Sequence, residues 1–212
     1  MRSEKKVSLL KLGGSAGIFT PVSALVFIST SILSYRGFSW TSNALSDLGV
    51  VSDPTATLFN FGLFLSGLLA LAFSMGLFVL FQDSLSGRIG AGVFVLACLS
   101  LEGISFFNEN VRPFHYIFSV AFFVFMPISL LIIAGYYIET RQKWMVVFTL
   151  LMALIAAAPW VLQFTFPYVA NVAIPEAISS VAGSVWVLVT SYNMFKKAAK
   201  VKVSIPVRNK FS

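Results

Sequence analysis

Histidine and cysteine are nearly missing from this chain, with one of each, His115 and Cys98, in 212 residues. A lone cysteine excludes an intramolecular disulfide and any cysteine-rich metal centre. A lone histidine excludes the multi-histidine sites that hold catalytic zinc. Charge is scarce as well: 11% of residues are Asp, Glu, Lys or Arg, against about 25% in soluble domains. Acids are the scarcest, eight against fifteen Lys and Arg, which leaves a net charge of +7. There is no glycine-rich phosphate loop, no HExxH pair and no Cys/His cluster.

What the chain has is apolar surface. Hydrophobic residues make up 58% of it, and the mean hydropathy is +0.88. A soluble domain of this size leaves too much of its chain exposed to hide that composition from water. A soluble enzyme, a disordered regulator and a disulfide-stapled secreted domain are therefore excluded. A polytopic membrane protein remains.

A spanning helix needs roughly 20 mostly apolar residues. Six runs qualify, at about 12–33, 57–81, 89–107, 114–138, 144–164 and 174–195. They are continuous and about twice as long as the alternating segments of a membrane barrel. The expected fold is all-α: a six-transmembrane-helix bundle forming a single membrane domain over 1–212, with a basic tail at 196–212. The N-terminus has the basic start of a signal peptide. Its apolar run is too long for one and no cleavage site follows, so it reads as a retained first helix.

Lys and Arg set the orientation. Arg2, Lys5, Lys6 and Lys11 precede the first span, and Arg88, Arg141 and Lys143 lie in the second and fourth connections. Lys196, Lys197, Lys200, Lys202, Arg208 and Lys210 follow the last span. Those thirteen share one side; Arg36 and Arg112 occupy the other. The pattern predicts cytoplasmic N- and C-termini in the cell membrane. It also explains the positive charge by topology and anionic lipid, so no nucleic acid is implied.

Ionisable groups inside spans are expensive and are functional candidates by default. Glu102 lies 14 residues beyond Arg88, about 21 Å along a helix, in the outer part of the third span. Ser105 and Glu109 follow at i+3 and i+7, and the polar stripe runs on through Asn108, Asn110 and Arg112. His115 opens the fourth span with Tyr116 beside it. Glu176 opens the sixth, where Ser180, Gly183, Ser184 and Ser191 form a small-residue seam. Asn60, Gly67 and Ser74 form another on the second span. Such seams let helices approach closely.

All these groups start at the outer ends of their helices, beside Asn43, Ser46 and Asp47 of the long first external loop. They predict an outward-opening polar pocket lined by Asp47, Asn60, Glu102, His115 and Glu176. Asp47, Glu102 and His115 are the candidates for acid–base chemistry. Asn43, Ser46, Asn60, Asn108, Arg112, Tyr116 and Glu176 are the candidates for binding substrate. Structural readings stand beside these. Glu102 could be a bonded structural carboxylate, and Glu176 a first-turn acid favoured by the helix dipole after Pro175. Asp47 could cap a turn. Trp40, Tyr116 and Tyr168 fit an interfacial aromatic belt. No metal site and no cofactor are specified by the spacing.

The segment Trp40-Thr-Ser-Asn43-Ala-Leu-Ser46-Asp47-Leu-Gly49, with Phe59-Asn60 after it and Arg112-Pro-Phe-His115-Tyr116 later, resembles the prokaryotic membrane family of domain of unknown function 998. The resemblance covers nearly the whole chain and implies six spans, with no activity attached. Ser46-Asp47 and Asn108/His115 also match the outline of the Frag1/DRAM/Sfk1 family, some of whose members are linked to lipid-anchor remodelling or lipid organisation. That likeness implies a lipid-related function. The ceramidase and adiponectin-receptor superfamily needs several metal-binding histidines, which this chain lacks.

The expectation is a membrane protein that recognises or modifies a lipid or lipid-linked substrate, with membrane lipids as its partners. A non-catalytic subunit or assembly factor, with a membrane-protein partner or a second copy of itself, is the alternative. A small ion-coupled transporter is the third. Nothing in the motifs decides whether the chain is an enzyme.

Overall fold

In the computed structural model, which describes residues 3–203, the chain forms six long helices, and no strand occurs among those residues. They are α1 (Ser3–Ser34), α2 (Thr55–Leu80), α3 (Leu85–Phe106), α4 (Phe114–Glu139), α5 (Lys143–Thr165) and α6 (Ala173–Val203), with a short 3-10 helix at Ser46–Val50. All six are long and apolar enough to cross a membrane.

Two boundaries lie about eight or nine residues from the sequence expectation. α1 starts at Ser3, well before residue 12, and α6 runs to Val203, past residue 195. Packing extends both. Leu10 is fully buried in the main core, with Val7 and Leu9 against it. At the far end of α6, Lys197 Nζ donates to Leu80 O at 2.6 Å. That carbonyl belongs to the last turn of α2, which has no partner within its own helix. The Lys196 ammonium lies 5.3 Å from the centre of the Tyr192 ring. The first part of the expected tail is therefore helix; Arg208, Lys210 and the rest of 204–212, like Arg2, lie outside the described residues.

Each helix packs on its neighbours in the chain, and α6 closes the bundle on α1 while also touching α2 and α4. Early residues of α1 meet late residues of α6: Gly14 faces the Phe195 ring and Gly17 faces Ser191 Oγ. The two ends of the described chain therefore share one end of the bundle, the terminal end. The loops at 35–54, 107–113 and 166–172 share the other, the pocket end.

Lipid tails are as apolar as leucine, so helix association in a bilayer rests on close packing and interhelical hydrogen bonds. Both are visible. A Cβ on Gly13 would stand 2.7 Å from Gly76 Cα, so α1 and α2 touch through backbone there. Around the middle, Phe73, Phe94 and Trp186 meet with ring centroids 5.5 to 6.2 Å apart. Trp186 donates to Thr149 Oγ1 at 3.2 Å. The small-residue seams face inward as the sequence implies: Gly67 abuts Glu102 of α3, and Gly183 abuts Met126 of α4. A second, smaller core of Leu45, Leu48, Phe59, Leu63, Ile104 and Ala173 lies under the first loop.

Candidate functional site

The first loop is a folded cover, and Asn43 is its hub. Asn43 Oδ1 accepts the Ser39 N–H at 2.9 Å, and Nδ2 donates to Asp47 Oδ2 at 2.8 Å. Asp47 Oδ2 also accepts the Ala44 N–H at 3.0 Å, which shapes the entry to the 3-10 helix. Two ladder-like bonds tie the loop to the α5–α6 connection: Asn171 N–H to Thr41 O and Ala173 N–H to Asn43 O, both 3.0 Å. Asn60 Nδ2 of α2 donates to Gly49 O at 2.9 Å. A Cβ on Gly49 would lie 2.6 Å from Asn60 Oδ1, so glycine is what lets the cover seat on α2.

Two carboxylates join the cover to the bundle. Glu176 Oε2, in the first turn of α6, accepts the Leu45 N–H at 2.5 Å. Ser46 Oγ donates to Glu109 Oε1 at 2.7 Å. Glu109 sits in the α3–α4 connection, and burial first, then the neighbouring Asp47, push its carboxyl above the ordinary glutamate range against the opposing pull of Ser46 and His115.

His115, in the first turn of α4, has Nδ1 2.8 Å from Phe107 O. A carbonyl only accepts, so Nδ1 carries the proton in the neutral ring. Nε2 then faces Ser119 Oγ at 3.4 Å and Glu109 Oε1 at 3.8 Å. The backbone thus fixes the neutral tautomer in which Nε2 is an acceptor facing Ser119 and Glu109.

These groups border a cavity of about 540 Å³ between α4, α5 and the cover. That is within the size range of small-molecule sites. Its polar margin is Ser46, Glu109, Arg112, His115, Tyr116, Asn171 and Glu176. Its inner wall is apolar: Val120, Phe123 and Val124 of α4, with Trp160 and Phe164 of α5. Phe123 and Trp160 pack at 4.5 Å, and Trp160 is locked by a 3.0 Å bond to Ser179 Oγ. A smaller annex of about 50 Å³ continues past Ser46, Ser119, Phe123 and Glu176 towards Ile28 and Leu63.

Of the residues expected at the site, Ser46, Arg112, His115, Tyr116 and Glu176 line the cavity. Asn43 and Asp47 stand behind it as supports of the cover. Asn60 is occupied by Gly49, and Asn108 turns on itself, accepting the Asn110 N–H at 3.2 Å. Glu102 is a correction. It is on neither cavity wall: its face of α3 turns to Gly67 of α2, and neither carboxylate oxygen has a partner among the described residues. Helix rotation is the reason, because distance along α3 gave its depth and said nothing of which neighbour it faces. Glu109 is at the site although Glu102 is not. α3 ends at Phe106, so the i+7 relation lapses and Glu109 swings to the cover. Ser119, Trp160 and Asn171 were not expected there. Ser119 sits one turn after His115, a visible signal; Asn171 has none. Among the described residues no three His, Cys, Asp or Glu groups gather as a metal-ligand set.

A family model described as "Protein of unknown function (DUF998)" matches residues 18–192. No curated protein and no solved structure matches.

Proposed function

The chain belongs to the DUF998 family of membrane-spanning proteins of unknown function, and from that premise we propose that it recognises or modifies a lipid or lipid-linked substrate at the outer leaflet. One observation carries the reading. The cavity is amphiphilic along its length, with ionisable and amide groups at the loop end and Val120, Phe123, Val124 and Phe164 along the helices. A bilayer lipid has the same order of headgroup and chain. The outer-leaflet placement rests on the ten described Lys and Arg residues at the opposite end. If the lipid is modified and not only held, His115 Nε2 is the base the geometry supplies, held in its tautomer by Phe107 O.

The test is native mass spectrometry of gently purified protein. Val120→Trp fills the cavity, and Leu150→Trp places the same bulk on an exposed part of α5. A defined lipid carried by wild type and by Leu150→Trp, and lost from Val120→Trp, is the expected result. Equal bulk lipid on all three would sink the reading. A stoichiometric protein partner in place of lipid would favour a subunit role.

A further inference from the structure

The charges on the cavity margin select among lipids. Two carboxylates, Glu109 and Glu176, face one guanidinium, Arg112. Glu176 is 7% exposed, and only one of its oxygens is used: Oε2 holds Leu45 N–H, while no group among the described residues donates to Oε1. Arg112 is exposed at the mouth and forms no ion pair among those residues. An occupant that drives water from the cavity leaves the free oxygen of Glu176 without a donor unless the occupant brings one. A purely anionic headgroup brings none and meets two acidic side chains. A sugar or glycerol hydroxyl donates but brings no cation to set against the pair.

We propose that the cavity takes a phospholipid whose headgroup carries a protonated primary amine, the ammonium donating to Glu176 and Glu109 and the phosphate meeting Arg112. An ammonium has three donors and no acceptor, which suits two carboxylates approached from one side. The upward pull on the Glu109 carboxyl fits this assignment: a carboxyl crowded by burial and by Asp47 is one that a bound ammonium would relieve.

This assignment rests on the lipid reading above, and the experiment separates the two. Full-length protein is delipidated and titrated with dioleoyl phosphatidylethanolamine and dioleoyl phosphatidylglycerol, and bound lipid is counted by native mass spectrometry. The chains are identical, so any preference belongs to the headgroup. The expected result is about a tenfold preference for the ethanolamine lipid, the scale of one charge-assisted hydrogen bond. That preference should fall several-fold in Glu176→Gln, whose amide oxygen still accepts Leu45 N–H, and in Glu109→Gln, which spares Leu45 altogether. Equal or tighter binding of phosphatidylglycerol, with Val120→Trp abolishing both, would overturn the amine assignment and leave the lipid reading standing. Binding of both lipids that Val120→Trp does not reduce would overturn the two together.

Discussion

The two ends of this bundle are built on opposite principles. At the terminal end and through the middle, helices touch through glycine backbone and interlocking aromatic rings; Phe73, Phe81, Phe94 and Trp186 are all fully buried. Ser191 there closes on Val187 O, and Lys197 on Leu80 O. At the pocket end the helices border a cavity, the apolar core is small, and a loop does the closing through side-chain amides and carboxylates. Close packing gives stability in a bilayer, where burial alone gives little. An end that keeps a cavity forgoes that packing, and the hydrogen-bonded cover replaces it. The lesson is a division of labour: one end holds the fold, and the other keeps a cavity under a hydrogen-bonded cover.

Substitutions should separate the ends. The largest loss is expected from Trp186→Ala, which removes the ring bridging Phe73 and Phe94 and orphans Thr149. A cost of about 3 kcal/mol or more in detergent unfolding is expected, with lipid retained per folded molecule unchanged. A small loss would mean that the aromatic cluster is not what holds the bundle. Next comes Gly13→Val, which forces α1 from Gly76 and should cost about 1–3 kcal/mol. If Gly13→Val altered cavity occupancy as strongly as stability, the two ends would be coupled and the division would fail.

At the pocket end, Asn43→Ala should behave differently. It removes the acceptor for Ser39 and the donor to Asp47, so the cover loosens where it meets Ala173. About 1–2 kcal/mol of local stability is at stake. The readout is hydrogen exchange of residues 39–50, expected to speed up while α2 and α3 keep their protection. Protection lost evenly across the protein would show that the cover is part of the global folding unit.

Much of this was legible in the residues, and the failures have a common cause. Hydropathy located all six spans, because a bilayer enforces helix length. The Asn43–Gly49 segment stood out, and each of its polar residues has a partner the fold needs. What the pattern lacked was helix rotation and loop-to-loop pairing. Glu102 was at the right depth on the wrong face. The bonds from Asn171 and Ala173 to Thr41 and Asn43 join segments about 130 positions apart with no local signature. Glu109 falls on the helical stripe of Glu102 by spacing, yet α3 ends at Phe106 and Glu109 meets Ser46 from a loop. Depth follows from counting residues; azimuth follows from packing, which a single sequence does not display.

The smallest effect should come from Glu109→Gln, and its sign is informative. Burial and Asp47 raise the native Glu109 carboxyl above its ordinary value, so folding favours its protonated form. That stabilisation is fully present below the unfolded-state value, about 4.3. It is lost as pH rises through the raised native value. The facing groups are Ser46 and Asp47 of the cover, His115 of α4, and Glu176 and Arg112 on the same cavity margin. Glutamine keeps an acceptor for Ser46 Oγ and cannot ionise. The variant should therefore match wild type near pH 4 and be slightly more stable at pH 7–8, by less than about 1 kcal/mol, because the site is partly solvated. Thermal unfolding across that range decides it. A variant less stable than wild type at neutral pH would mean that the Glu109–His115 contact, 3.8 Å apart, contributes more than the crowding of carboxylates takes away.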